Sequence, residues 1–539
     1  MNTPLVQDGG SGVATTFVPD LLYLNGRFER GVGLTCDAGG RVLAAPPLGP
    51  LRALAGGELR EGETYDVYVS DSYFATRFVR LRGRALLPGM VNAHSHAFQR
   101  VIRGRTEYRG ARASDSFWTW REMMYAAAAR LSPEDIYDAS RMAFLEMAIT
   151  GITSVGEFHY LHRTPEGREY DDPNLLAREV VRAARDVGIR IALLRVAYAR
   201  AGHRKEPDAR QLRFIEPDPE TFIRHAGSLA RDLAADAPAH APARPGARDE
   251  SPALAWLGVA PHSVRAVTVE YLRELSAFAR AEGLPLHAHV AEQPAEVEAC
   301  LAEHGRTPVA LLAAEGVLDA RFTGVHAVHV TAEEVAQLGA AGACVCACPT
   351  TERNLGDGVV PADALLGAGV PVALGTDSHA QIDLLEDARE LEYHLRLTSL
   401  RRNVLAPAAD AGGAEGEGRG GGGGRPEGAR GEEGRGMSAL AARLFECATR
   451  AGARSIGAHA GAFEPGRAAD FFTVDLDDPS VAGACAEDLL PAVVFSLSRA
   501  AVRETAVGGR LVTEAGRHAA QDDIVSRFAA LQRRLWGAS

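Results

Sequence analysis

Hydrophobic and polar positions divide the chain into three parts with different periods. Residues 1–85 contain short apolar runs interrupted by Gly and Pro, which predict short strands and turns. From about residue 86 to residue 395, short β-like runs alternate with stretches of helical period, such as residues 133–150. After about residue 462 the chain returns to strand-like runs and ends in an amphipathic helix.

The alternation in the middle part predicts parallel strands, because each helix carries the chain back before the next strand begins. At least seven strand–helix units in about 300 residues favour an α/β fold of the (β/α)8 TIM-barrel type over an open doubly wound sheet. We assign the barrel to residues 86–461. The β-rich ends, residues 1–85 and 462–539, are expected to form one small β-sandwich, with the terminal helix in the second of them.

Two segments within these limits are predicted to be insertions. Residues 409–436 contain 13 glycines in 28 positions, a composition that buries too little apolar surface to offset the entropy of ordering and so predicts disorder. Residues 235–251 are rich in Ala and Pro, which predicts a loop extension. Neither segment is assigned a function.

Histidine, glutamate and aspartate recur at the ends of predicted barrel strands. His94 and His96 project to the same side of a strand, and two imidazoles on one face suit a divalent transition metal. His289 followed by Glu292 has the spacing of a ligand and a nearby carboxylate, and Asp377 ends an apolar strand, where a buried carboxylate needs a partner. Each motif alone has an ordinary alternative: a structural histidine pair, a glutamate at a helix N-terminus, or an N-cap aspartate.

Further histidines and cysteines lie near these motifs. His326 and His329 are three residues apart, so on a strand they face opposite ways and at most one enters a site. His287 shares a face with His289 and is assigned to packing. Three alternating cysteines could suggest a metal, but small buried residues are what a barrel strand needs: Cys344, Cys346 and Cys348.

The four strand-end motifs lie where barrel enzymes build their active sites. In their order (HxH, HxxE, H and D) they resemble the amidohydrolase superfamily, as does the strand-like run at residues 466–475. Longer runs resemble the formimidoylglutamate deiminases, which hydrolyse N-formimidoyl-L-glutamate to N-formyl-L-glutamate and ammonia in histidine degradation. These runs are residues 94–100, 116–122, 348–358 and 375–379.

The resemblance implies a role for each matching residue. One zinc ion per subunit would be held by His94, His96, His289 and Asp377. Proton transfers beside the metal would be handled by Glu292, His326 and Asp377. Substrate would be contacted by Gln99, Arg121, Tyr160, His262 and Arg265. Tyr160 adjoins His159, so a shift of one residue would exchange them. The Glu-Arg-Asn at residues 352–354 departs from the Glu-Ala-Asn more usual in the family, a change we expect to be harmless.

The implied substrate carries two carboxylates, and arginine binds a carboxylate through two parallel hydrogen bonds. Arg121 and Arg265 come from different loops, so each could hold one carboxylate. Deaminases of guanine, adenosine derivatives or triazines on the same scaffold are an alternative, but their substrates lack two carboxylates. A catalytically inactive barrel is a second alternative, which predicts gaps in a ligand set that is complete here.

Composition narrows the function classes further. A formal net charge of −12 without a basic block argues against nucleic acid as a partner, and no apolar run reaches the length of about 18 residues that a membrane helix needs. Lys205 is the one lysine among 58 basic residues and lies in a polar run, so a lysine-bridged metal pair is disfavoured. Seven cysteines and the lack of a secretory signal pattern favour the cytoplasm. A homodimer is expected from the resemblance alone.

Overall fold

The computed structural model describes residues 13–49, 64–69, 72–108, 116–203, 205, 208–235, 253–407 and 439–537. Residues 236–251 of the predicted loop extension and the whole of the glycine-rich segment 409–436 lie outside the described residues.

Eighteen strands lie in the described part of the chain. In chain order they are β1 (Ala14–Leu24), β2 (Arg27–Glu29), β3 (Leu34–Cys36), β4 (Val42–Ala44), β5 (Thr64–Val69), β6 (Ser72–Pro88), β7 (Met90–Ser95), β8 (Ile152–His159), β9 (Arg190–Ala197), β10 (Ala255–Pro261), β11 (Leu286–Val290), β12 (Phe322–His326), β13 (Cys344–Ala347), β14 (Val372–Leu374), β15 (Phe471–Asp475), β16 (Val502–Val507), β17 (Arg510–Glu514) and β18 (Arg517–His518).

The α-helices with both ends in the described residues follow in chain order, and residues 439–446 are also helical. They are α1 (Phe117–Ala128), α2 (Pro133–Ile149), α3 (Leu175–Val187), α4 (Pro219–Ala235), α5 (Val269–Glu282), α6 (Pro294–His304), α7 (Pro308–Ala314), α8 (Ala332–Ala341), α9 (Pro349–Leu355), α10 (Ala362–Gly367), α11 (Leu384–Ser399), α12 (Gly452–Ile456), α13 (Leu489–Ser496) and α14 (Gln521–Trp536). Three short 3₁₀ helices are Ala97–Ile102, Ala209–Gln211 and Arg499–Ala501, and a π-helical turn, Cys447–Ala451, leads into α12. None of the helices in these ranges has the length and apolarity needed to cross a membrane.

Eight strands, β7 to β14, pair in parallel in chain order and form the barrel. Strands β8 and β9 are buried along their whole length, as expected of strands with the barrel interior on one face and helices on the other. The first and last strands meet through a parallel bridge between Ser95 and Asp377. The Asp377 amide donates to the His94 carbonyl at 3.0 Å, and the His96 amide donates to the Asp377 carbonyl at 3.0 Å. The predicted barrel is therefore confirmed. The contacts that close it join two of the site motifs, the one at His94 and His96 and the one at Asp377.

The two ends of the chain meet in one ten-stranded sheet. Strand β6 pairs in parallel with β1 and antiparallel with β15, from Phe471 opposite Pro88 to Asp475 opposite Arg84. This confirms that both ends build the small β domain. Gly89 separates β6 from the barrel strand β7, and a Cβ at this position would lie 2.3 Å from Thr153 Oγ1, so only glycine allows the approach.

Helix boundaries follow from capping residues. Helix α2 begins after Ser132, whose hydroxyl accepts from the Asp135 amide at 3.2 Å while the Asp135 carboxylate accepts from the Ser132 amide at 2.9 Å. The terminal helix α14 packs against α2, with Arg527 Nε donating to Asp138 Oδ1 at 2.7 Å. The helix that the sequence places with the C-terminal β segment thus lies against the barrel.

Candidate active site

Four donor atoms converge at the C-terminal mouth of the barrel. The Nε2 atom of His94 lies 3.2 Å from Nε2 of His96 and 3.2 Å from Nε2 of His289. Asp377 Oδ1 lies 3.3 Å from His94 Nε2 and 3.2 Å from His96 Nε2. The four residues are buried and their donor atoms all lie within 4.8 Å of one another. The four residues predicted to bind metal are therefore brought together.

This cluster fits a divalent metal of the zinc type. Donor atoms spaced by 3.2 to 3.3 Å match the edges of a tetrahedron whose metal–ligand bonds are about 2.0 Å. His96 Nδ1 donates to the Phe158 carbonyl at 2.9 Å and His289 Nδ1 donates to the His262 carbonyl at 3.0 Å. A carbonyl only accepts, so in both rings the proton is on Nδ1 and the Nε2 lone pair faces the cluster.

Left-handed backbone conformations lie at the strand ends that aim the site residues. His326 has φ of 72° and Asp377 has φ of 43°, values that non-glycine residues rarely adopt and that occur at functional sites. Strand β12 ends at His326, and the chain then turns so that His329 Nε2 donates to the Asp357 carbonyl at 2.8 Å. Of the two histidines in this motif, only His326 faces the ligand cluster.

His326 lies among three carboxylates. Its Nε2 atom is 3.6 Å from Glu292 Oε1 and 3.9 Å from Asp377 Oδ2, and its Nδ1 atom is 3.2 Å from Glu352 Oε1. Burial alone would lower the pKa of His326, but the charges of these carboxylates raise it well above its usual value. Burial raises the pKa of Glu292, whereas the charge of His326 lowers it by a smaller amount. These groups can hold and exchange protons beside the metal ligands.

Two buried glutamates in this region were not predicted as site residues. Glu352 Oε1 accepts from the Cys348 amide at 2.8 Å as well as facing His326, so it fixes the orientation of that ring. Glu157, on β8, accepts from Ser95 Oγ at 2.5 Å and from the Ala97 amide at 2.7 Å, and burial raises its pKa to about 7. The sequence did carry a signal for Glu157, because it is a charged residue within the buried strand β8.

The five predicted substrate residues line one cavity together with three residues of the metal cluster, His96, His289 and Asp377. The five are Gln99, Arg121, Tyr160, His262 and Arg265. Gln99 Nε2 donates to the Tyr160 hydroxyl at 3.0 Å, and the Tyr160 ring lies 5.1 Å from the ring of His96. His159 instead packs against His162, with ring centroids 5.9 Å apart. The geometry therefore places Tyr160, and not His159, in the cavity.

Arg121 and Arg265 bring positive charge into this cavity without a carboxylate of their own. Arg121 Nε donates to the Tyr125 hydroxyl at 2.5 Å, whereas Arg265 Nε is buried without a hydrogen-bond partner in the described part of the chain. In the described part of the chain, neither Arg121 nor Arg265 has a carboxylate within salt-bridge distance. Buried Arg195, by contrast, is 3.2 Å from Glu216. Because a partly buried positive charge is costly unless it is paired, two guanidiniums with no carboxylate at salt-bridge distance suit an anionic ligand.

The barrel and its ligand cluster define a metal-binding hydrolase scaffold, and comparison with known families agrees. The model of the amidohydrolase family matches residues 85–512. The chain belongs to the amidohydrolase family and is an enzyme of that family.

The predicted resemblance within the family is also confirmed. The chain is 37% identical over 454 residues to the formimidoylglutamate deiminase of Pseudomonas aeruginosa, which covers 84% of this chain and 90% of that protein. It is 27% identical to a 5-methylthioadenosine/S-adenosylhomocysteine deaminase of Natronomonas pharaonis, over 85% of this chain and 88% of that one. A crystal structure of an amidohydrolase from Brucella melitensis superimposes with a TM-score of 0.77 at 31% identity, covering 97% of this chain and 99% of the other.

Proposed function

We propose that this enzyme hydrolyses N-formimidoyl-L-glutamate to N-formyl-L-glutamate and ammonia. The observation that carries the proposal is a pair of guanidiniums without a carboxylate at salt-bridge distance in the described residues, Arg121 and Arg265, in the cavity that three of the four metal-ligand residues line. This substrate has two carboxylates and one amidine, so its charges match the cavity. The similarity to a formimidoylglutamate deiminase over 84% of the chain supports the same choice.

The ligand set supports zinc as the metal, one per subunit, held by His94, His96, His289 and Asp377. When bound, such a metal acts as a Lewis acid and lowers the pKa of a water to about 7, so that hydroxide is available at neutral pH.

The remaining groups move protons while water adds to the formimino carbon. Glu292 accepts a proton from the attacking water and passes it to the leaving nitrogen, which departs as ammonia. Asp377 accepts the second proton of the same water, and this proton also ends on the departing nitrogen, so both carboxylates are restored. His326, held by Glu352 at 3.2 Å, donates a hydrogen bond to the oxygen on the tetrahedral carbon. Proton transfers of this kind are typically worth about 10²- to 10⁴-fold in rate.

Residues of the cavity wall bind the substrate. Arg121 and Arg265 each bind one carboxylate through paired hydrogen bonds. Gln99, Tyr160 and His262 hold the amidine end next to the cluster, where the His262 and His289 ring centroids are 4.8 Å apart. We further propose that the enzyme acts in histidine degradation and as a homodimer, both from the family resemblance. We also propose a cytoplasmic location, which the seven cysteines favour.

The test measures ammonia release by purified, zinc-loaded protein from N-formimidoyl-L-glutamate, with guanine and adenosine assayed beside it. We expect release from the first compound only. Failure to release ammonia from it, or a higher kcat/KM on guanine or adenosine, would contradict the proposal and favour an aminohydrolase of aromatic bases.

A further inference from the structure

A second group of potential ligands adjoins the first. His326, Cys348 and Asp377 are buried, and one donor atom from each lies within 4.8 Å of the other two. Cys348 follows the last residue of β13, at the same end of the barrel as the other site residues. None of the proposed catalytic steps uses its thiol.

The two oxygens of Asp377 face different groups. Oδ1 lies 3.3 Å from His94 Nε2, within the first cluster, whereas Oδ2 lies 3.9 Å from His326 Nε2. A carboxylate placed in this way can bridge two metal ions that are about 4 Å apart. Because His326 Nδ1 faces Glu352 at 3.2 Å, Nε2 is the nitrogen left to bind a metal.

The charge around this second group also favours a cation. Glu292 Oε1 lies 3.6 Å from His326 Nε2, and Glu352 Oε1 lies 3.2 Å from His326 Nδ1. Within the described ranges, neither carboxylate has an Arg or Lys partner at salt-bridge distance, so His326 is the basic group that both of them face. A cysteine thiolate with imidazole and carboxylate is a donor set for zinc or cadmium rather than for magnesium or calcium.

We propose that His326, Cys348 and Asp377 form a second, weaker zinc site, and that zinc bound there inhibits the enzyme. On binding, the Cys348 thiol and any protonated His326 Nε2 release their protons to solvent, and the thiolate, the imidazole and Asp377 Oδ2 bind the metal. Inhibition follows because His326 can no longer donate its hydrogen bond. The inhibition rests on the proposed function, whereas the binding does not.

Binding is tested with cobalt(II) titrated into metal-free protein. A thiolate-to-cobalt charge-transfer band in the near ultraviolet is expected only with the second equivalent, and metal analysis should give about two ions per chain. Cys348→Ser and Cys348→Ala should bind about one ion and lack the band. Cys344→Ser is the matched control, because Cys344 is also buried on β13 but is absent from the ligand group, so it should keep the band. A single equivalent in the wild type, or a band that persists without Cys348, would overturn the site.

Inhibition is tested by assaying N-formimidoyl-L-glutamate hydrolysis at one equivalent of zinc and in zinc excess. The wild type should lose about a hundredfold in kcat in excess zinc and recover when a chelator lowers free zinc. Cys348→Ser should match the wild type at one equivalent and resist the excess. Full wild-type activity with the charge-transfer site filled would overturn the inhibitory role. If this substrate is not turned over at all while the band appears, the proposed function fails and the metal site stands.

Discussion

Replacing Arg265 with methionine should weaken substrate binding without lowering the stability of the fold. Arg265 is half-buried in the cavity, its Nε atom lacks a hydrogen-bond partner in the ranges described, and no carboxylate there lies at salt-bridge distance. The substitution therefore breaks no ion pair among the described residues and replaces a partly desolvated charge with an apolar side chain. We expect the midpoint of thermal unfolding to stay constant or rise.

The effect on catalysis should be large by comparison. A hydrogen bond to a charged group contributes about 1.5 to 3 kcal/mol, so loss of a paired contact should cost about 3 kcal/mol, or about 150-fold in kcat/KM. Most of this loss should fall on KM, because the carboxylate is held equally in the ground state and in the transition state.

The assay compares N-formimidoyl-L-glutamate with the N-formimidoyl derivatives of γ-aminobutyrate and α-aminobutyrate, which lack the α- and the γ-carboxylate respectively. Arg265→Met should lose little further on the compound that lacks the carboxylate Arg265 binds, and Arg121→Met should show the opposite preference. Arg273→Met is the control, since Arg273 is exposed and pairs with Glu315 away from the cavity. A kcat/KM within about threefold of wild type for Arg265→Met would refute the carboxylate assignment.

Three other substitutions test the proton carrier, the support of the His326 ring and a buried ion pair. Glu292→Gln should keep its zinc, measured by metal analysis, but lose about 10²- to 10⁴-fold in kcat; full activity would exclude it as the proton carrier. Glu352→Gln should lower kcat about 10- to 100-fold with unchanged metal content, and an unaltered kcat would show that His326 needs no such support. Burial would raise the pKa of Glu216, but a hydrogen bond from His225 and the charge of Arg195 hold it far below the usual 4.5. Its stabilisation is therefore full above about pH 4.5 and is lost as the pH falls, so Glu216→Gln should lower the unfolding temperature at pH 7 and progressively less in acid; a deficit independent of pH would contradict this.

The barrel could be predicted because its apolar strand runs recur at regular intervals along the sequence. Each barrel strand is a short apolar run bounded by turns, and the site motifs follow such runs at a constant place, so His94, His289 and Asp377 could be assigned to one edge of the sheet. The distances among their donor atoms could not be read from the sequence, because they depend on how the barrel closes between Ser95 and Asp377.

The orientation of individual side chains was less predictable. The sequence left open which of His326 and His329 enters the site. The answer depends on the positive φ at His326, and a histidine in the sequence does not indicate that backbone conformation. Glu352 lies in a run that carried the family resemblance, yet its contact with His326 joins α9 to the end of β12, a long-range pairing that periodicity does not encode.

In the proposed reaction, water adds to the formimino carbon and the terminal nitrogen leaves. This can be followed by magnetic resonance with substrate isotopically labelled at that carbon. The label should appear in N-formyl-L-glutamate, with one ammonia released for each substrate consumed. Label in formamide together with free glutamate would show cleavage of the other carbon–nitrogen bond, and would contradict the assignment of Glu292 as the group that protonates the leaving nitrogen.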